Sequence, residues 1–280
     1  MNILEKIIEA KRKEVMQRSA AISLRELRKT HFYNRACFSL KPFLLDANRT
    51  GIIAEFKRKS PSKGQINELA NVATVTEGYS RNGASALSVL TDGPYFGGDS
   101  KDLLAARANS LPILRKDFII DSYQVEETKA MGADLMLLIA ACLTPSDVKE
   151  LSTLAHNLGL EVLLEIHNRE ELSRFCDGVD YIGVNNRDLK TFVVDINRSI
   201  ELSEEIPGGI IKITESGIHQ ASTIHMLRRY GYEGFLMGEN FMKEPDPAIA
   251  FASFVNELKT EPHEGKSLRH DATGPGKRVR

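Results

Sequence analysis

Little in this 280-residue chain is present in excess, and what is scarce narrows its possible roles first. Net charge is nearly absent, since 37 Lys and Arg oppose 38 Asp and Glu for a formal charge of -1. With no global field of either sign, neither nucleic acid nor an anionic membrane is expected as a partner, and partners must be inferred from local sites. Cysteine is scarce too. Cys37, Cys142 and Cys176 are odd in number and far apart, which fits buried thiols in a reducing compartment better than a disulfide framework or a metal site. No apolar run approaches the roughly 20 residues that cross a bilayer, and the N-terminus lacks the apolar core and small-residue cleavage site of a secretory signal. A cytoplasmic location is therefore expected. His156, His219 and His225 read as helix or surface histidines without a spacing such as H-E-x-x-H, so metal catalysis is disfavoured.

What the chain does contain is a regular succession of elements. Ile3, Leu4, Ile7, Ile8 and Val15 fall at helical spacing and predict an amphipathic helix from Asn2 to about Gln17. Beyond an irregular stretch, apolar runs recur about every 20 to 30 residues: Ile52 to Phe56, Ala84 to Leu90, Pro112 to Leu114, Leu135 to Ala140, Val162 to Ile166, Tyr181 to Val184, Ile210 to Ile213 and Gly234 to Met237. Helical patterns lie between them. Thr144-Pro145 starts one whose end falls at Gly159, Asn168 starts another with Leu172 and Phe175 on its buried face, and Gly132 and Gly231 close two more. Continuous apolar strands alternating with amphipathic helices mean a parallel sheet covered by helices, and eight such units close into a (β/α)8 TIM barrel. An open doubly wound sheet is the competing architecture, but no Gly-rich dinucleotide fingerprint follows the first strand. The expected organisation is a helical extension over residues 1–48, a catalytic barrel over 49–259, and a disordered tail over 260–280, where large aliphatics are nearly absent.

In such a barrel the chemistry sits at the C-terminal ends of the strands. The first offers I-I-A-E-F-K-R-K-S-P-S-K-G at Ile52 to Gly64. Alternation sends Glu55 and Lys57 to one side and Phe56 to the other; the plain alternative is a solvated strand end with an incidental ion pair. Glu165 ends an apolar strand and needs a cation, for which Lys57 and Lys116 are available. Two close lysines depress each other's pKa while a carboxylate opposes this, so the trio can hold an ammonium acid and a carboxylate base, or else a structural ion-pair network. His167 fits a helix start or a supporting place better than that of a base. Ser216-Gly217 and Gly238-Glu239-Asn240 follow strands seven and eight, where exposed backbone N–H groups cradle phosphate if they are more than ordinary tight turns.

These blocks, with L-R-K-D-F-I at Leu114, L-L-E-I-H at Leu163, G-V-N-N-R-D-L at Gly183, T-E-S-G-I at Thr214 and L-M-G-E-N-F-M at Leu236, resemble the indole-3-glycerol phosphate synthase family from Met1 to about Lys259. The resemblance implies conversion of 1-(2-carboxyphenylamino)-1-deoxyribulose 5-phosphate to indole-3-glycerol phosphate, with loss of carbon dioxide and water and no cofactor. It also implies roles. Lys116 is the general acid on the substrate ketone, Glu165 the base for dehydration, Lys57 a second acid, and Glu55 orients the lysines. Asn185 and Arg187 would hold the intermediate's hydroxyls and the anthranilate portion; Ser60 belongs to the first-loop contact; Phe118 and Leu138 would pack on the aromatic ring. Ser216, Gly217, Gly238 and Glu239 would form the phosphate end. Many relatives carry a serine or threonine near Glu239, so here a backbone N–H should bind phosphate and the carboxylate should point away.

The segment Ser60 to Gly64 is expected to be a mobile loop over the substrate. About 20 residues after Lys259 leave no room for a second barrel, so a monofunctional enzyme is expected. Association with other tryptophan-pathway enzymes is neither supported nor excluded by the sequence. Two other functions compete: an isomerase of phosphorylated aminodeoxy sugars, which needs no environment for decarboxylation, and a binding-only barrel, which should show damage among Lys57, Lys116 and Glu165. No such damage is seen.

Overall fold

Eight parallel strands close on themselves in the computed structural model, which describes residues 3–260. They are β1 (Ile52–Phe56), β2 (Ala86–Leu90), β3 (Ile113–Lys116), β4 (Leu135–Ile139), β5 (Glu161–Ile166), β6 (Tyr181–Asn185), β7 (Ile211–Glu215) and β8 (Tyr232–Met237). Closure is visible at one residue: Ile53 of β1 stands opposite Ala86 of β2 on one side and Leu236 of β8 on the other. The open-sheet alternative is thereby excluded. Expectations for the tail fall outside the described residues beyond position 260. No helix among the described residues is long and apolar enough to cross a membrane.

Strand alternation divides the apolar side chains into two cores. Outward-facing Ile52, Phe56, Leu87, Val89, Leu138, Leu164, Ile182 and Phe235 pack beneath the surrounding helices. Inward-facing Ile53, Ala86, Leu114, Leu137, Leu163, Ile213 and Leu236 fill the barrel. On the same inward register, polar groups replace aliphatics near the C-terminal ends of β1, β3, β5 and β7. That substitution makes a site out of a core.

Three helices precede the barrel: α1 (Ile3–Ala21), α2 (Leu24–Leu27) and α3 (Leu40–Leu45). They reach both ends of it. At the N-terminal end, α3 inserts Leu40 and Leu44 into the inner core, and the backbone N–H groups of Leu40 and Lys41 donate to Glu161 and to the Tyr181 hydroxyl. At the C-terminal end, Ile7 of α1 joins Phe118 and Ile139. Between the strands run α4 (Val72–Arg81), α5 (Gly93–Phe96), α6 (Ser100–Ala106), α7 (Ser122–Ala130), α8 (Pro145–Asn157), α9 (Asn197–Ser203) and α10 (Ala221–Arg229), and after β8 come α11 (Glu239–Met242) and α12 (Pro247–Thr260).

Several boundaries differ from those read off the sequence. β3 and β7 run on to Lys116 and Glu215, because hydrogen bonding continues through the charged residues that end each apolar run. The first helix extends to Ala21. Thr144 caps α8 with a reciprocal bond from Asp147, as its sequence predicts. Asn168 also caps, yet the segment after it, Arg169–Arg174, is a 3-10 helix that ends at an extended Phe175.

Candidate active site

At the C-terminal mouth of the barrel lies a cavity of about 1270 Å³, including its open entrance. The inner core forms its floor, with Leu137, Ile139 and Leu236 below; α1 contributes Ile3, Leu4 and Ile7 from the side. Phe96, Phe118, Leu189 and Phe192 add apolar wall, so an aromatic ring would find complementary surface.

Across this floor run the ionisable groups. Lys116 Nζ lies 2.7 Å from Glu165 Oε2 and 3.0 Å from Glu215 Oε2, tying β3 to β5 and β7. Beside it, Lys57 donates to Glu55 Oε1 at 2.6 Å. Burial works against charge on Lys116, but Glu165, Glu215 and Glu55 outweigh it and hold the ammonium above the ordinary lysine range. The mutual depression expected for two neighbouring lysines therefore does not govern this one. Burial likewise opposes charge on Glu165, yet Lys116 and His167 keep its carboxyl below the usual range. Glu215 behaves in the opposite way: burial, with Glu165 and Glu55 nearby, pushes it up to about 7 despite Lys116. Around Lys116 the site thus holds an ammonium kept charged, one carboxyl kept low and one carboxyl raised toward neutrality.

Toward the other rim, Ser216 adopts φ 66° and Gly217 φ 79°. Successive left-handed residues turn the chain sharply and present backbone to the cavity. Ser216 Oγ donates to Asn185 Oδ1 at 2.9 Å, and Asn186, fully buried, donates from its amide to the carbonyls of Glu215 and Ser216 at 3.0 and 3.1 Å. Gly238 precedes α11, and a Cβ there would lie 2.8 Å from the Glu55 Cβ, so the close approach excludes a side chain. Glu239 faces Arg187 Nη2 at 3.2 Å and Lys63 Nζ at 3.7 Å, joining the β8 turn to the loops after β6 and β1. Arg187 Nη1 also donates to Ser62 Oγ at 3.3 Å. Within the β1 loop, Lys59–Ser60 and Gly64–Gln65 form a two-residue antiparallel ribbon, while Ser60, Pro61 and Ser62 line the cavity.

The structure brings Glu55, Lys57, Ser60, Lys116, Phe118, Glu165, Asn185, Arg187, Ser216, Gly217, Gly238 and Glu239 to this one cavity. Leu138 does not belong there. Its side chain points outward into the core beneath the helices, because strict alternation on β4 gives the cavity to Leu137 and Ile139. Glu215 joins them in the cavity without being among the residues the sequence singles out, although alternation from inward Ile213 carries the signal. Asp92, Phe96, Leu189 and Phe192 sit in loops with no period to mark them.

The wall bearing α1 is fastened by a separate ionic centre. Lys11 Nζ lies 2.8 Å from Asp92 Oδ1, 2.9 Å from Asp117 Oδ1 and 2.8 Å from Glu14 Oε2. Asp117 also accepts from Thr91 Oγ1 at 2.6 Å, from Arg115 Nη2 at 3.0 Å and from the Phe118 N–H at 2.8 Å. Burial opposes its charge, but Arg115 and Lys11 hold the carboxyl far below the usual range.

Known proteins resemble this chain along most of its length. A family model described as indole-3-glycerol phosphate synthase matches residues 4–254. An indole-3-glycerol phosphate synthase of Bacteroides thetaiotaomicron is 45% identical over 259 residues, covering 92% of this chain and 99% of that protein. One from Polynucleobacter asymbioticus is 41% identical over 261 residues, covering 90% and 98%. Among solved structures, KGPDC of Streptococcus mutans superposes with a TM-score of 0.54 at 14% identity, covering 67% of this chain and 90% of that one. A tryptophan synthase alpha-subunit mutant from Pyrococcus furiosus gives 0.55 at 14% identity, covering 75% and 98%. At such identities these two speak for the barrel fold alone.

Proposed function

The chain belongs to the indole-3-glycerol phosphate synthase family, and from that premise we propose how its mouth residues divide the work. The reaction is the carboxy-lyase step of tryptophan biosynthesis that turns 1-(2-carboxyphenylamino)-1-deoxyribulose 5-phosphate into indole-3-glycerol phosphate, carbon dioxide and water. Lys116 hydrogen bonds to the substrate ketone and protonates it as the anthranilate ring carbon bearing the carboxylate attacks. A new carbon–carbon bond forms, the ring carboxylate leaves as carbon dioxide, and its bonding pair restores the aromatic ring. The remaining hydroxyl then departs as water, protonated by an ammonium of the Lys57 and Lys116 pair, while Glu165 removes the proton from the adjacent carbon. No step calls for a cofactor.

Binding follows the polarity of the cavity. The aromatic ring lies against Phe118, Phe96 and Leu137, the anthranilate carboxylate faces the Arg187 guanidinium with Ser60 nearby, and Asn185 receives a hydroxyl. Phosphate occupies the Ser216-Gly217 and Gly238 turns, with backbone N–H groups as donors. There the Glu239 carboxylate is engaged by Arg187 and Lys63. The observation that carries this reading is the single ammonium of Lys116 held between two buried carboxylates on an apolar floor. Purified protein incubated with the carboxyphenylamino-deoxyribulose phosphate should generate indole absorbance and fluorescence; folded protein that yields no indole product would refute the reading. A cytoplasmic location, no membrane or nucleic-acid partner, and a single activity complete the proposal.

A further inference from the structure

Lys116 offers one ammonium to two carboxylates, Glu165 and Glu215, whose side chains are 2% and 3% exposed. Two buried carboxylates on one cation cannot both remain ionised without cost, so a proton is drawn to one of them. If that proton settles on Glu165, the base of the proposed reaction is lost. The two carboxylates differ in one neighbour. Glu165 Oε1 faces His167 Nε2 at 3.3 Å, a charge contact rather than an aligned hydrogen bond, whereas Glu215 Oε1 is buried without a hydrogen-bond partner.

His167 is itself held from behind. Glu171 Oε2 accepts the His167 backbone N–H at 2.8 Å and lies 3.2 Å from Nδ1. Asn168 fixes that carboxylate by donating to Oε1 at 3.0 Å and accepting the Glu171 N–H at 3.0 Å. A carboxylate before each ring nitrogen suits the imidazolium, the form in which both nitrogens carry hydrogen. The packed elements bring these charges to the ring: Glu165 from β5, Glu171 from the following 3-10 helix, and Lys116 and Glu215 beyond the other oxygen of Glu165. Cys142, in the 3-10 turn Ala140–Cys142, adds none, because burial and both carboxylates push its thiol up to about 12.

We propose that His167 is a positioning residue that decides which carboxylate on Lys116 takes the proton: held against Glu165 by Glu171, its ring charge reserves Glu165 as the base and leaves Glu215 to carry the proton. The inference rests on the assignment of Glu165 above. Electrostatics agree with the geometry. Burial disfavours charge on His167, yet Glu165 and Glu171 raise it to about 9, and the same ring helps lower Glu165 while Glu215 rises to about 7. The ring charge is therefore present at neutral pH and lost as pH rises through about 9.

The test compares kcat of the full-length His167→Asn variant with that of the unmodified protein between pH 6 and 9.5. The ratio should be about 0.1 or lower at pH 6, since one pKa unit is tenfold in protonation, and should climb toward 1 near pH 9, with KM changed less than about threefold. A ratio that stays constant across pH overturns the proposal, whether its value is 1 or lower. If that variant does not fold, Glu171→Gln keeps the ring but weakens its charge; its ratio should be near 1 at pH 6 and dip between pH 7 and 9, and a flat ratio overturns the proposal. Nitrogen-15 NMR of the unmodified protein must show both His167 ring nitrogens protonated at pH 7, and a neutral tautomer there overturns it without reference to turnover. Absence of any indole product would instead count against the assigned reaction, leaving the ring measurement to stand by itself.

Discussion

Lys11 and Lys116 stand at the same mouth, each nearly buried and each between carboxylates from different parts of the chain, yet their surroundings differ in kind. Around Lys11 each oxygen of Asp92 and Asp117 has a partner: Oδ1 of both faces the Lys11 ammonium, Asp117 is also met by Thr91, Arg115 and a backbone N–H, and Asp92 accepts the Tyr95 N–H at 3.0 Å. Around Lys116 that does not hold, for Glu215 Oε1 lacks a partner and the lysine side chain is 13% open to the cavity, against 1% for Lys11. A closed ionic centre holds a wall in place. An open one, with unspent lone pairs beside an apolar hollow, is equipped to exchange protons with a substrate.

Substitution should separate the two centres. The largest expected effect is on turnover: Lys116→Ala and Glu165→Gln should each lower kcat by roughly two or more orders of magnitude with an unchanged circular dichroism spectrum. Near-normal turnover in either variant would remove that residue from its role. Next comes stability. Lys11→Met strands Asp92 and Asp117 in the interior and should cost about 3 to 5 kcal/mol in denaturant unfolding, with a far smaller loss of kcat in molecules that remain folded. A loss below about 1 kcal/mol would show that α1 is not anchored there.

Acidity sharpens the contrast, because the two centres respond with opposite sign. Asp117 is depressed in the folded state, so its contribution is complete above the unfolded carboxyl range and is lost as pH falls through its lower folded value. Glu215 is raised to about 7, so its contribution is complete below the unfolded value and is lost as pH rises through about 7. Glu215→Gln should therefore raise the melting temperature more at pH 8.5 than at pH 6, while Asp117→Asn should lower it at both. Equal shifts of Glu215→Gln at the two pH values would contradict the raised carboxyl. The smallest effect is expected at Leu137, where Ala widens the cavity wall and should raise KM several-fold, whereas Leu138→Ala should leave KM alone and cost about 2 to 5 kcal/mol of stability.

Period and alternation made most of this architecture legible. Eight apolar runs separated by capped helical patterns admit few closures, and a period of two assigns Glu55, Lys57, Lys116 and Glu165 to one interior. The failures have a common origin. Apolar runs understate a strand whose last residues carry charge, which hides the extension of β7 to Glu215 and the inward direction of that side chain. Leu138 and Leu137 are adjacent leucines in an unbroken apolar run, so composition cannot tell the cavity face from the helix face until neighbouring strands set the register. Lys11 reads as an ordinary charged position on an amphipathic helix, because its two aspartate partners lie 81 and 106 positions further along the chain.

The insertion of α3 into the N-terminal end of the barrel has a consequence for how the protein is made. The Lys41 N–H donates to a hydroxyl on Tyr181, 140 positions later. At about 5 to 20 residues per second of synthesis, α3 emerges roughly 7 to 28 seconds before that partner exists. For this interval Leu40 and Leu44 have no barrel to enter, and the helix that seals the finished floor is first an uncovered apolar segment on a growing chain.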